Sequence, residues 1–243
     1  MRVLILVLLA AAPLVAQTPP AAPPATFRVL YIDRRPTAAE VAAAEASGQP
    51  LEPTVFYLAP AGEKKKPEFL PLFLPFSRLA TPVTLPAGSP LVLFSKPDPA
   101  AKIAEIPANQ KSDVVAVLRA SRDLAFRDAK VQLLDASGSG FPFGQMRVIN
   151  ATDRKIAVKT LDPPKQVEPG GVLTFQPTPG RRDTVPVLAG VEEHGTWREI
   201  HSGATKVRPN NRVLLLVSGQ SSPDGTPSYS VEYLAESAPE NSQ

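Results

Sequence analysis

His194 and His201, with Glu192, Glu193 and Glu199 around them, form the group in this chain that most resembles a metal centre or an acid–base pair. A metal needs three or four ligands converging on one point, each imidazole held by a second hydrogen bond. The spacing argues against this. Glu193-His194-Gly195-Thr196 reads as a hairpin turn with glycine at a position suited to positive φ, which places Glu192 across from Trp197 and His201 far up the return strand. At about 3.4 Å per residue the two imidazoles then stand roughly 17 Å apart, too far for one ion to bridge. Both histidines are expected to be solvated, and no cofactor or metal is expected.

Other chemistries have still less support. The chain has 0 Cys, so a nucleophile would have to be a hydroxyl. Ser137 and Ser139 in SGSG are the most suggestive, but Ser139 is followed by FPFGQMRV, a strand pattern, where a nucleophile elbow requires a helix. The segment reads as a turn between units. The pairs Glu192 with Glu193, and Asp123 with Asp128, have no neighbour that would raise a proton affinity as a glycosidase acid requires. SSPDGT at 221–226 carries one Asp, too few for a calcium loop. Lys64, Lys65 and Lys66 lack interleaved aromatics and read as a solvated hairpin tip, as do Arg181 and Arg182, so no nucleic-acid partner is expected. Trp197 is the single Trp and stands beside Arg198; core is its favoured reading and a binding spot the other.

The scaffold around these residues is more legible. Arg2 followed by the apolar run Val3 to Val15 reads as a secretory leader, cleaved after Ala16 to leave Gln17. The run contains Pro13 and is shorter than the roughly 20 residues of a membrane span, so no span is expected after cleavage. The expected location is therefore periplasmic or secreted. Residues 17–26, QTPPAAPPAT, form a proline-stiffened spacer. Lys and Arg total 26 against 23 Asp and Glu, a near-balance that argues against a dedicated polyanion binder. Without disulfides, an exported fold must rest on its apolar core.

The 29 Pro, spread along the chain, exclude long helices and central strands in many places and imply short strands joined by rigid turns. FRVLYID is apolar on both faces and reads as a buried strand. TAAEVAAAEASG at 37–48 is the clear helix, with Thr37 and Glu40 as a capping box and Gly48 at its end. Strand patterns then recur about every 8 to 12 residues, the spacing of a sandwich or barrel. The Gly-rich break at Ser137 to Gln145 separates two units, 27–135 and 137–235, with 236–243 a polar, frayed tail. Within the second unit TWREIHS and TKVRP read as separate strands, and VLLLV as a central one. The fold class is all-β: two tandem β-sandwich units with one short helix in the first.

The run GFPFGQMRVINATDRKIAVKTLDPPKQVEPGGVLTFQP resembles exported, uncharacterised bacterial proteins with two β-sandwich, immunoglobulin-like units in tandem, a likeness that covers residues 123–235. In that type a strand ending in Asn opens a hairpin and a Pro-Gly turn follows; the periplasmic pilus chaperones have the same general look. The export signal, the all-β scaffold and the lack of a convincing catalytic set together lead to the expectation of a non-enzymatic structural or interaction module of the cell envelope, with an envelope protein or polysaccharide as partner. Two alternatives stand beside it: a chaperone or adhesion module working by edge-strand pairing, and a hydrolase of envelope carbohydrate. The candidate interaction surface is the proline-interrupted segment Phe69, Leu70, Leu72, Phe73, Leu74 and Phe76, together with Trp197. Pro71 and Pro75 place that segment at a sheet edge or in a loop packing inward.

Overall fold

A computed structural model describes residues 24–32, 42–43, 46–48, 55–60, 68–73, 83–86, 90–106, 113–119, 130–221 and 227–238. The leader, most of the spacer, Lys64 to Lys66, Leu74, Phe76, Asp123, Asp128, residues 222–226 and the last five residues lie outside them. The chain is all-β. Its first eight strands are β1 (Pro24–Ile32), β2 (Val55–Pro60), β3 (Leu70–Phe73), β4 (Val83–Pro86), β5 (Leu91–Phe94), β6 (Lys102–Ile106), β7 (Asp113–Arg119) and β8 (Lys130–Asp135). The next eight are β9 (Met146–Asn150), β10 (Ile156–Lys159), β11 (Lys165–Val167), β12 (Val172–Phe175), β13 (Thr184–Glu193), β14 (Thr196–Lys206), β15 (Asn211–Ser221) and β16 (Pro227–Ser237). The complete helical elements among the described residues are 3-10 turns at Pro99–Ala101, capped by the Asp98 side chain, and Arg181–Asp183. Of the helix expected over 37–48, Ala42, Ala43, Ala46 and Ser47 are helical, and Gly48 takes the positive φ of 65° that a C-terminal glycine supplies.

The described strands form four sheets, none of which draws on both halves of the chain. Sheet A has the order β4-β1-β7-β8, sheet B β3-β2-β5-β6, sheet C β12-β9-β15-β16 and sheet D β11-β10-β13-β14. Adding eight to each strand number of A and B reproduces C and D. The pairing senses repeat too, with β1 parallel to β7 and β9 parallel to β15. Even the irregularity recurs, a register shift at Leu93/Phe94 in one unit and at Ala189/Gly190 in the other. The two units are one topology written twice. Aligning equivalent pairs sets Phe27-Arg28-Val29-Leu30 against Met146-Arg147-Val148-Ile149, and Asp113 against Arg212.

Each unit has its own core, and a third joins them. Phe27, Val29, Leu58, Leu93, Ala116 and Leu118 pack between sheets A and B; Met146, Val148, Val158, Val187, Leu215 and Val217 between C and D. The opposite faces of A and C meet each other through Leu30, Val115, Val117, Leu134, Ile149, Leu214 and Leu216. The layers therefore run B, A, C, D. This explains why β1, β7, β9 and β15 are apolar at successive positions: each is a central strand with a core on both faces.

At one margin of this seam three guanidiniums are buried: Arg28 is 6% exposed, Arg147 5% and Arg212 4%. Arg28 grips Asp113 through Nη2 (3.0 and 2.8 Å) and reaches across the seam to Glu236 at 2.7 Å. Arg212 donates to Glu236 through Nε at 2.9 Å, pairs with Asp113 at 3.4 Å, and gives Nη1 to the carbonyls of Ala136 and Phe141 at 2.6 and 2.7 Å. Arg147 donates to Thr174 Oγ1 (2.9 Å) and to the carbonyls of Asp135 and Gly140 (2.7 and 2.6 Å). The Phe141 ring lies under both Arg147 and Arg212, and Phe143 under Arg212. Burial lowers the Arg147 proton affinity, the charge of Arg212 adds to that, and Asp135 opposes it.

Three expectations change here. Glu236, placed by the sequence in a frayed tail, is in β16, because two arginines hold its carboxylate. β1 begins at Pro24, inside the expected spacer, where Pro24 pairs with Pro86 at the sheet margin. TWREIHS and TKVRP are a single strand, β14, because the Ser-Gly-Ala stretch between them continues the ladder to β13.

Asn150 ends β9, but β9 and β10 lie in different sheets, so the turn after it is an arch between sheets and not a hairpin. Its fully buried side chain donates to the carbonyls of Arg154, Val167 and Glu168 at 2.7 to 3.0 Å and accepts from Thr152 N and Oγ1. Its backbone pairs with Gly170 and Gly171. Asn150 thus ties this arch to the one at 168–171, where Gly170 has φ 74°. Asn150→Ala leaves those groups buried and unpaired and is expected to cost about 3 kcal/mol in denaturant unfolding; a loss near zero would show that the arches hold without it. For Glu236, burial raises the carboxyl, but the Arg212 hydrogen bond and the charges of Arg28 and Arg212 outweigh it and hold the group below the usual carboxylate range. Its ion pairs are therefore complete above that range and lost as pH falls below it through the depressed value. Stability measured from neutral pH downward should fall through that acid window in the wild type, with a shallower slope in Glu236→Gln.

Candidate interaction surface

β13 and β14 form a hairpin at one side of sheet D. Its two-residue tip is His194 (φ 52°) and Gly195 (φ 76°), both left-handed as a type I′ turn requires, so the turn expected from the sequence is present. Glu192 pairs with Trp197, also as expected. Val185, Val187, Ala189 and Val191 alternate into the core, leaving Pro186, Leu188, Gly190 and Glu192 on the outer face.

The register shift at Ala189/Gly190 re-aims β14. Glu199 stands opposite Gly190 and His201 opposite Ala189, so Ile200 is the extra residue and turns toward the core. Trp197 and Glu199 then share the outer face with Ser202, Ala204 and Lys206. Trp197 is 42% exposed, which overturns its favoured reading as core; its ring lies beside Gly190, the cross-strand neighbour with no side chain to obstruct it. Leu188, 39% exposed, is on the same face. Neither carboxylate flanking the Trp, Glu192 or Glu199, has an ion-pair partner among the described residues.

The inward side of the hairpin closes the sandwich margin. Arg198 makes a two-pronged bond to Glu193 (2.8 and 2.8 Å) and lies over Tyr229, whose hydroxyl donates to the same carboxylate at 3.2 Å. The Arg198 hydrogen bond holds the Glu193 carboxyl below its ordinary range. Farther along, His201 Nε2 and the Tyr233 hydroxyl share a hydrogen bond at 2.7 Å, and burial raises the proton affinity of the Tyr233 phenolate. These contacts join β14 to β16, the edge strands of sheets D and C.

The other candidate segment is divided. β3 is an edge strand of sheet B, as its Pro71 indicates. Leu72, 3% exposed, is in the core between A and B, and Leu70 packs against that core. Phe69 is half-buried on the outer face of sheet B, edge-on to Phe94 at 5.2 Å and to Tyr57 at 6.5 Å. Phe73 closes β3, paired with Val55, while Leu74 and Phe76 lie outside the described residues. Phe69 and Trp197 are thus on outer sheets at opposite faces of the stack.

Ser137 and Ser139 occupy the turn between units, where Ser137 Oγ donates to Asp135 at 2.5 Å and contacts Ser139 Oγ at 3.0 Å. The sequence did not flag Arg28, Arg147 or Arg212, and marked Asn150 only as the Asn that ends a strand. Their one signal was charge or amide inside strand patterns apolar on both faces. The small cavity lined by the three arginines, Phe141 and Glu236 has about 20 Å³, room for a water-sized sphere and no organic ligand. No group of three His, Cys, Asp or Glu side chains among the described residues is arranged to hold a metal, and no helix there is long and apolar enough to cross a membrane. No protein-family model matches the chain, and no curated protein is similar to it.

Trp197→Ala is expected to change unfolding stability by no more than about 0.5 kcal/mol, the range of surface substitutions, whereas Tyr233→Phe should cost about 1 kcal/mol through loss of the His201 bond. Acrylamide quenching of the single Trp gives an independent check: efficient quenching in the folded state is expected, and a shielded indole would place it in the core.

Proposed function

We propose that this protein is a non-enzymatic structural or interaction module of the bacterial cell envelope, exported by its leader and cleaved near Ala16. The observation that carries the reading is the exposed Trp197, set on an outer sheet beside two carboxylates that have no ion-pair partner among the described residues, and outside the buried core. An aromatic side chain left in water on a rigid hairpin is the kind of anchor that interfaces use. The deeply buried polar side chains support the same reading from the other side. Arg147, Arg212, Asn150 and the two terminal nitrogens of Arg28 donate to carboxylates, carbonyls and a hydroxyl of the scaffold itself, while the buried Arg28 Nε has no hydrogen-bond partner.

The partner is an envelope protein or polysaccharide engaging the outer face of sheet D. A polysaccharide would stack on the Trp197 ring, and a protein would add an aliphatic or aromatic side chain there. The chaperone or adhesion alternative keeps one specific support, the open edge of β14, which a client strand could extend.

Fractionation of the producing cell, with sequencing of the mature N-terminus, is expected to find the protein outside the cytoplasm and beginning at Gln17. A photo-crosslinking amino acid at Trp197 should then give adducts with an envelope component. A cytoplasmic protein with an intact leader, or a position 197 that crosslinks to nothing, would sink the reading.

A further inference from the structure

The geometry points to self-association of this chain through β14, with a second copy adding its own β14 antiparallel to extend sheet D across a two-fold axis. This goes beyond the envelope reading and does not depend on it.

Strand length is the first reason. Among the described residues six of the eight edge strands, β3, β4, β6, β8, β11 and β12, have three to six residues, and short edges are one way sheets avoid unwanted pairing. β14 and β16 have eleven each. The repeated topology gives the comparison: β6, the counterpart of β14, has five residues, so the second unit has more than doubled this edge. β16, the other long edge, presents less exposed side-chain surface to a second copy, its side chains being mostly half-buried against the core of its unit and the seam. β14 is mostly exposed, and no strand among the described residues pairs with its outer side.

The residues of β14 fit a copy of itself. The bulge at Ile200 puts Glu199 and Lys206 on the same, outer face, which an unbroken alternation would not do. The acidic end of the strand is at the hairpin tip and the basic end at its base. Antiparallel pairing of two copies about Gly203 sets Glu199 of each against Lys206 of the other, twice by symmetry. Ser202 then faces Ala204, and the axis passes through small side chains that let the backbones approach. Trp197 lies just outside the charge pair, toward Arg208 of the second copy. Glu199 and Lys206 are both exposed and without ion-pair partners among the described residues, so each is available for the other.

The test is a charge swap read by sedimentation velocity of the purified full chain over a concentration series. The wild type is expected to dimerise. Glu199→Lys and Lys206→Glu should each weaken the dimer about tenfold, since each turns two attractive cross-strand pairs repulsive. The double variant, Glu199→Lys with Lys206→Glu, should recover wild-type affinity to within about twofold. Circular dichroism of each variant checks that the exposed substitutions leave the fold intact. A wild type that stays monomeric at its solubility limit overturns the proposal, as does a dimer indifferent to the single variants or one that the double variant fails to restore.

Discussion

The fold depends on the burial of one sheet face from each unit against the other. Sheets A and C each have a second apolar face, and only their mutual contact keeps Leu30, Val117, Ile149 and Leu216 from water. That contact buries three guanidiniums at its margin, where an unpaired charge would be costly. The cost is offset by shared partners. Asp113 and Glu236 each touch both Arg28 and Arg212, one arginine and one carboxylate coming from each unit. Arg147, with no direct carboxylate, is held by two carbonyls, a hydroxyl and the Phe141 face. The linker GFPFG is therefore more than a spacer, since both of its phenylalanines stack on this cluster.

The seam also explains which parts of the fold were legible in the sequence. Period-2 alternation separates an inside from an outside, and it read well in TVPVLAGVEE, where one face is core and the other solvent. In FRVL, MRVI and VLLLV both faces are buried, so the sequence showed buried strands without showing what lay on the second side. The joining of the units was illegible for that reason. So was the role of Glu236, whose polar neighbours looked like a tail. The duplicated topology left almost no trace in residue types beyond FRVL against MRVI, because a sandwich constrains alternation and turn positions far more than side-chain identity.

For the candidate surface the position was readable and the environment was not. The turn at His194-Gly195 and the pairing of Glu192 with Trp197 followed from local turn chemistry. Trp197, on the tip side of the bulge, faces outward with Glu192, whereas the inward turn of His201 depended on the bulge at Ala189/Gly190, which no turn residue announces and which exchanges the two faces of the strand beyond it. The Phe69–Phe76 segment shows the converse. Its prolines marked an edge strand, but edge describes hydrogen bonding and not burial, and Leu72 fills the core from that edge.

The seam has a consequence for how many such units one chain can join in this way. Equivalent positions meet across it: Arg28 and Arg147 each reach toward the last strand of the opposite sheet, and Asp113 meets its counterpart Arg212 directly. Such a contact is its own complement, so two units saturate it and neither keeps a free copy to offer a third. Open-ended arrays such as solenoids need a head-to-tail contact that leaves an unused surface after every addition. This architecture stops at a pair, and any longer assembly must grow from the outer sheets.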